Sequence, residues 1–469
     1  MKGRLTFGRK RQRVIRLPDT AVFPHPIHHI PPPLRPIVGL LTLIVVGTLL
    51  LWLLPGVTTR PITFVQAFFT ATSAVTVTGM AVLTTSTDFT FAGQIILLLL
   101  IQMGGLGYMA LVALLLRASG RRVSLPNRLL LADSLGLQNP SLISHYLGRI
   151  LTGMFVIEAV GAAVLFVYWR QTDIVPSDRV LFYAIFHAVA AFCNAGFDLF
   201  WGTPAYPNGI PNDNPTLIIL GVLVILGGLG LPVFHSLLLY RRQRRLSLHT
   251  KLTLLVTLAL ILVGWVALYL PEATRGVAAD LSLDEKLVQT WFQSVSARTA
   301  GFPGLENFAL VQPESQLVLV ALMFVGSGPA SMGGGITTGT LVVLLAVMWS
   351  FLRGTPGVNA FKRSIPTRIV KRATAVLIVS LFVCGLATWL LLLTHPFELG
   401  PALFEVVSAF STCGLTLGIT GQLNPIGQLI IIFMMFWGRL GALTIVLVLL
   451  SRSRESSLLH YPEESVLIG

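Results

Sequence analysis

Four short stretches of this 469-residue chain have the composition of backbone ligands. They read Thr76-Val77-Thr78-Gly79, Cys193-Asn194-Ala195-Gly196, Arg298-Thr299-Ala300-Gly301 and Ser411-Thr412-Cys413-Gly414. β-Branched residues ending in a glycine suit a short extended segment better than a helix. Extended chain inside a membrane exposes carbonyl oxygens, and a ring of such oxygens can replace the hydration shell of a cation. The candidate ligands are the main-chain carbonyls of Thr76, Val77 and Thr78, of Cys193, Asn194 and Ala195, of Thr299 and Ala300, and of Ser411, Thr412 and Cys413. Their varied side chains fit this role, because a carbonyl ligand tolerates whatever side chain the packing accepts. Gly79, Gly196, Gly301 and Gly414 supply backbone geometry that a side chain would hinder. The three cysteines, Cys193, Cys384 and Cys413, have no metal-ligand spacing, so neither a zinc site nor a disulfide framework is implied.

Each stretch closes an eleven-residue motif: FTATSAVTVTG (Phe69–Gly79), FHAVAAFCNAG (Phe186–Gly196), WFQSVSARTAG (Trp291–Gly301) and FEVVSAFSTCG (Phe404–Gly414). Each begins with an aromatic residue, and the closing glycines stand 117, 105 and 113 residues apart. The surrounding chain is 54% hydrophobic and 11% charged, against roughly 25% charged in a soluble domain. About 20 apolar residues cross the hydrocarbon. Runs of that order lie near 37–54, 91–116, 146–169, 216–240, 252–270, 315–352, 369–393 and 427–450, which predicts eight spans. The segments leading into the four motifs are too short to cross and read as re-entrant. Irregular backbone at that depth survives only where it is buried in protein or lines a water-filled cavity. The expected fold is all-α and membrane-integral, with four helix, pore loop, helix repeats around a pseudo-fourfold pore. The divisions are a tail at 1–36, repeats at 37–118, 119–245, 246–352 and 353–452, and a tail at 453–469.

Each motif is followed by a glycine cluster in the next apolar run: MGGLGYM (Met103–Met109), LGGLGLP (Leu226–Pro232), VGSGPASMGGG (Val325–Gly335) and WGRLGAL (Trp437–Leu443). The third run, Ser315–Leu352, has 38 residues and as a straight helix would be roughly 57 Å long, far more than the ~30 Å core. It must break, and Gly326–Gly339 is the place. Gly326, Ser327, Gly328, Gly333, Gly334 and Gly335 are read as an intramembrane gate; a phosphate-binding loop is excluded, because the Walker lysine and its preceding strand are missing. Arg298 in the third motif and Glu405 in the fourth are expected to neutralise each other as filter supports. Glu158 reads as a buried hydrogen-bonding residue, and His187 and His235 as packing residues with no identifiable partner.

The segments 1–36, 117–149, 241–251, 353–372 and 451–469 hold 26 of the 33 Lys and Arg, which puts both termini in the cytoplasm. The same bias accounts for the net charge of +14, so nucleic-acid binding is not implied. The opposite loops are acid-rich, with Asp88, Asp198, Asp213 and Glu398 among them, and would concentrate cations at the entrance. The first apolar run begins only after Pro36, too late for a secretory signal peptide.

The four-fold order of helix, pore helix, filter glycine and helix resembles the Trk/Ktr/HKT superfamily of potassium transporters over roughly residues 37–450. The motifs that carry it are TVTG, CNAG, RTAG and STCG, with GSGPASMGGGITTGT and FWGRLGALT. With eight spans, the chain is most similar to the Ktr membrane subunits. The resemblance implies a homodimer in the lipid bilayer, with potassium as the transported ion and a cytoplasmic ring of nucleotide-binding regulatory subunits; the lack of a targeting sequence favours a plasma membrane. A glycine in all four copies goes with potassium preference, and serine in the first with sodium transport in some relatives. It also implies that Arg439 points into the pore beneath the filter as a barrier to cations; snorkelling to the interface is the alternative, and Arg452 lies 13 residues further on. The rival readings are a sodium-conducting or sodium-coupled relative and, from another class, an intramembrane hydrolase.

Overall fold

Apolar runs fold as helices in lipid because the backbone must satisfy its own polar groups there. The computed structural model describes residues 34–107 and 143–441 apart from 231, 235, 238, 239, 241–245, 330, 356, 361 and 362. His235, Arg452, both tails and the ends of the 91–116 and 427–450 runs lie outside the described residues. Three helices form the first group: α1 (Arg35–Leu53), α2 (Phe64–Thr76) and α3 (Phe91–Leu106). Then come α4 (Ile143–Gln171), α5 (Val180–Phe192) and α6 (Asn214–Gly228), and α7 (Leu248–Thr274), α8 (Leu283–Ser296), α9 (Pro313–Phe324) and α10 (Thr338–Leu352). The last group is α11 (Thr367–Thr394), α12 (Leu399–Ser411) and α13 (Pro425–Leu440).

Among the described residues, α1, the Leu151–Gln171 part of α4, α7 and α11 are long and apolar enough to cross a membrane. Only about a third of each is covered by protein, and Val45, Phe155, Val263 and Phe382 stand exposed on them. An apolar exterior of this kind is the surface of a helical membrane protein. The short helices α2, α5, α8 and α12 are the inverse: their C-terminal halves, such as Phe69–Thr76 and Phe404–Ser411, are buried on every side. They stand in the middle of the molecule. Of the four leading aromatics, Phe69, Phe186 and Phe404 are fully buried; Trp291 is not, and Phe292 occupies the interior instead.

The starts of these helices follow from their capping residues. Thr63 and Gln66 form a reciprocal capping box at α2, with Thr63 N donating to Gln66 Oε1 at 2.9 Å. Asp213 and Asn424 cap α6 and α13 by accepting from Thr216 N at 3.0 Å and Gly427 N at 2.9 Å.

Packing around the centre is cyclic. The helix after each short helix leans on the next short helix: α3 on α5, α6 on α8, α9 on α12, and α13 back on α2. The glycine clusters permit close approach within each group. A Cβ at Gly104, Gly227 or Gly438 would lie 2.8, 2.9 or 2.7 Å from the carbonyl carbon of Val75, Phe192 or Phe410, and each of those residues stands four before its motif glycine. Sequence reading expects a break only in the third run. Instead, α3 and α13 also end at their clusters, at Gly107 (φ 74°) and Gly441 (φ 75°), and α6 ends at Gly228 with Gly230 at φ 86°. Glycine reaches the left-handed region without the Cβ penalty, so each cluster both narrows its helix and stops it.

Gly438→Ala should therefore destabilise the protein by about 1–3 kcal/mol through overpacking. Gly385→Ala, on exposed α11 with nothing within 4 Å of the added carbon, should leave stability unchanged or raise it slightly. Thermal melting of the two detergent-solubilised variants checks this; equal midpoints would show that the close approach at Gly438 is not a constraint.

Candidate functional site

Each short helix ends beside a motif glycine, but not in extended chain. Thr76 and Ser411 remain helical, and the residue two before each glycine is left-handed or close to it: Val77 (φ 58°), Asn194 (φ 56°), Thr299 (φ 79°) and Thr412 (φ 52°). The glycines follow at φ 87°, 65°, 80° and 98°. In the first, second and fourth loops the turn is closed by matching bonds, from Thr78 N to Ser73 O (2.8 Å), Ala195 N to Ala190 O (2.7 Å) and Cys413 N to Ser408 O (2.9 Å), a Schellman closure of the helix end. The expectation of a β-like segment fails because these bonds keep the chain wound for one residue more. A regular strand would turn successive carbonyls to opposite sides, whereas inverted handedness at alternate residues does not. Positive φ is a true outlier for the β-branched Val77, Thr299 and Thr412. Such strain costs on the order of 1–3 kcal/mol per residue and persists only where the surroundings over-determine it.

The four loops meet head to tail. A Cβ built on Gly79 would collide with Ala195 O and Gly196, one on Gly196 with Ala300 O and Gly301, one on Gly301 with Cys413 O and Gly414, and one on Gly414 with Thr78 O and Gly79. The sequence-derived ligand stretches are thus brought together in a closed cycle. The same glycines floor a cavity of ≈ 290 Å³, walled by Thr84, Asp198, Trp201 and Thr416. The buried helix ends beside them carry no basic residue in their last turns, so their partial negative charge faces the loops, with buried Arg298 two residues beyond the end of α8.

Opposite the cavity, residues 325–337 connect α9 to α10. Val325 and Ile336 form an isolated parallel bridge, and the loop between them runs past the residues around Gly301 and Gly414. Ser327 Oγ lies 2.6 Å from Thr299 Oγ1 and donates to Arg298 O at 3.1 Å. Gly334 N donates to Thr412 Oγ1 at 2.9 Å, and Gly328 N to Gly228 O at 2.9 Å. Gly326, Gly333 and Gly335 pack against Gly334, Thr299 and Ser411. Arg439, near the end of α13, donates Nη1 to Met332 O in this loop and Nη2 to Gly104 O at the end of α3. Its fork joins the 325–337 loop to the end of α3.

A model of the TrkH family, described as "Cation transport protein", matches residues 38–457. The chain belongs to the TrkH cation-transport family. Ktr system potassium uptake protein B of Vibrio alginolyticus is 37% identical over 421 residues, 89% of this chain and 90% of that one. The protein of the same name from Bacillus subtilis is 36% identical, covering 93% and 97%. Potassium/sodium uptake protein NtpJ of Enterococcus hirae is 35% identical, covering 87% and 90%. Among solved structures, the potassium transporter TrkH from Vibrio parahaemolyticus matches the fold with a TM-score of 0.70 at 18% identity, over 90% of this chain and 86% of that one. These relatives are transporters, and the hydrolase reading is set aside.

Within this TrkH-family site, one sequence expectation is overturned. Arg298 and Glu405 are both buried but do not pair. Arg298 donates Nη2 to Gly326 O at 3.3 Å and Nη1 towards Thr257 O at 3.5 Å, on the side of the 325–337 loop. Glu405 instead accepts from Thr416 Oγ1 at 2.8 Å and from Thr420 Oγ1, on the cavity side. Hydroxyls just after the fourth motif reach Glu405 first, and the Gly326 and Thr257 carbonyls, distant in sequence, take the Arg298 guanidinium. His187, expected to lack a partner, lies with Nε2 3.1 Å from Asp198 Oδ1. Glu158, as expected, is a buried acceptor: Gln102 Nε2 donates to it at 3.1 Å, and Cys193 Sγ is 3.8 Å away. Sequence reading missed Asp198, Thr416 and Thr420 as partners. The available signal was the second position of the eleven-residue motif, which reads Thr70, His187, Phe292 and Glu405.

Single neutral substitutions at Arg298 and Glu405 should each destabilise, but a double-mutant cycle should give coupling below about 0.5 kcal/mol, as for independent sites. Coupling of 2 kcal/mol or more, read from chemical or thermal unfolding, would restore the direct pair.

Proposed function

We propose that this chain is a channel-like potassium uptake protein whose filter is the cycle of carbonyls around Gly79, Gly196, Gly301 and Gly414. The observation that carries the reading is the head-to-tail meeting of those four glycines with their neighbours' carbonyls. On this reading four units surround a pseudo-fourfold pore with eight spanning helices and cytoplasmic termini, in the plasma membrane. Thr76–Thr78, Cys193–Ala195, Thr299–Ala300 and Ser411–Cys413 supply oxygens that substitute for water around the ion, and the short-helix C-termini favour positive charge there. The acidic cavity side gathers cations, and the membrane potential drives them inward at about 2.3 kcal/mol per charge per 100 mV.

The 325–337 loop is the gate in this scheme. It closes the path by its bonds to Thr299, Thr412 and Arg439, and a cytoplasmic nucleotide-binding ring, docked on a homodimer, biases its position. The relatives named as parts of a Ktr potassium uptake system support both the ion and a partner. A sodium-conducting or sodium-coupled variant of the same machine is the second reading, favoured by the potassium/sodium relative.

Flux into liposomes containing the purified protein tests the reading. Potassium should enter in preference to sodium, and Gly79→Ser, whose side chain would collide with Ala195 O, should reduce the preference. Equal permeability to both ions in the parent protein would overturn the potassium assignment.

The gate makes separate demands. Deleting Gly333–Gly335 should raise flux and reduce its dependence on the regulatory partner. Arg439→Ala should also raise flux with selectivity largely intact, since two unit charges ~8 Å apart at an effective dielectric of ~20 repel by roughly 2 kcal/mol, about thirtyfold in occupancy. Arg439→Lys should fall between, keeping the charge but losing the fork that reaches both Met332 O and Gly104 O. Flux no faster than the parent in folded deletion and alanine variants would remove the gate assignment.

A further inference from the structure

The four loops are not braced alike. Nine residues before the filter glycines stand Thr70, His187, Phe292 and Glu405; two residues after them stand Ala81, Asp198, Pro303 and Thr416. In the second loop this register is spanned by His187 Nε2 and Asp198 Oδ1, 3.1 Å apart. In the fourth it is spanned by Thr416 Oγ1 donating to Glu405 Oε2 at 2.8 Å. The first loop has no counterpart, because Thr70 Oγ1 bonds to Gln66 O within its own helix and Ala81 has no polar side chain. In the third, Phe292 and Pro303 have neither donor nor acceptor in their side chains; Gln293 Oε1 instead accepts from the backbone of Gly304, one residue further along. Side-chain struts at this register thus occur in the second and fourth loops, which are opposite each other in the cycle of glycines.

Both struts end on residues that organise the cavity mouth. Asp198 Oδ1 also accepts from Phe200 N at 2.6 Å, and Oδ2 from Trp201 N at 3.2 Å. Thr416 Oγ1 accepts from Gly418 N at 3.0 Å, and Glu405 holds Thr420 as well. Asp198 and Thr416 both line the cavity above the glycines. At the other end, His187 and Glu405 are fully buried on the short helices. Each strut therefore ties the segment leaving the filter to the rigid element that enters it, bracketing a left-handed residue, Asn194 or Thr412, between two fixed points.

Resting on the filter reading above, we propose that His187–Asp198 and Glu405–Thr416 are a diagonal pair of positioning struts that determine the potassium-over-sodium specificity of the ring. A carbonyl ring that can contract gives the smaller ion its ligands, and two opposite struts resist that contraction across one diameter. The first loop has no tie at this register, and the third is tied through main-chain atoms instead, by Gln293 Oε1 accepting from Gly304 N and Ser296 Oγ donating to Phe302 O at 2.6 Å.

Two near-isosteric variants remove the bonds and keep the packing. His187→Phe retains the aromatic cluster with Trp169, Tyr183 and Phe200, and Thr416→Val exchanges a hydroxyl for a methyl. In liposomes at matched incorporation, each should lower the potassium-to-sodium permeability ratio on the order of fivefold, the worth of one ordinary hydrogen bond. Thr416→Ser should recover the parent ratio, and Thr70→Val, the same register in the unbraced first loop, should leave it unchanged. Thr416→Val keeps the test open if His187→Phe does not fold. Parent-like ratios in Thr416→Val alongside a lowered ratio in Gly79→Ser would overturn the struts and leave the filter standing. Parent-like ratios in both would overturn the filter reading itself.

Discussion

A helix that stops in the middle of a membrane leaves its last carbonyls without intrahelical partners, and in lipid such groups are costly to leave unpaired. The interior of this protein is organised around four buried helix endings, at Thr76, Phe192, Ser296 and Ser411. Left-handed turns recover part of the bonding, as Thr78 N does with Ser73 O. The remaining oxygens are enclosed by neighbouring loops and by helices that glycine allows to come within van der Waals range. Burial, strain and ligand supply are thus one problem with one solution. On the proposed reading, carbonyls that the fold does not satisfy are the ones a dehydrated cation can use.

Donors near these endings are used sparingly and across distance. Arg439 serves two carbonyls from different groups of helices with one planar fork, which a single lysine ammonium cannot match in geometry. Arg298 similarly serves the Gly326 carbonyl where α9 has stopped. Both cations therefore do for broken helices what capping residues such as Thr63 and Asp213 do at the helix starts. The hydroxyls of Thr299, Ser327 and Thr412 fasten the 325–337 loop with single bonds, so its hold on the central loops is made of several small terms.

Much of this was legible in the sequence because it is periodic. The glycines, the aromatics before them and the clusters after them recur in register, and apolar runs too short to cross a membrane mark the four short helices. Handedness was not legible: Val77 and Thr412 belong to the residue type least expected at positive φ, and the backbone bonds that close these helix ends, such as Thr78 N to Ser73 O and Cys413 N to Ser408 O, leave no mark in residue type. Nor were the partners of charged groups. Pairing Arg298 with Glu405 followed from proximity in the repeat pattern, but pattern does not reveal which side of a loop a side chain takes. The breaks in α3, α6 and α13 were hidden for a different reason. Gly107, Gly230 and Gly441 sit in apolar runs of plausible spanning length, whereas Ser315–Leu352 was too long to pass as one helix.

The cyclic packing also constrains how the molecule is made. α2 emerges early, but the face it presents to α13 has no partner until residues 425–440 exist, and Gly104 O waits equally long for Arg439. Contacts of such sequence separation are slow to form and leave surfaces open in the interval. The nascent chain must therefore hold an unfinished ring, with one bare interior flank at each end, through almost the whole of translation. Closure is a single late event, and a chain truncated before its last helix can complete three of the four junctions but never the one that joins its beginning to its end.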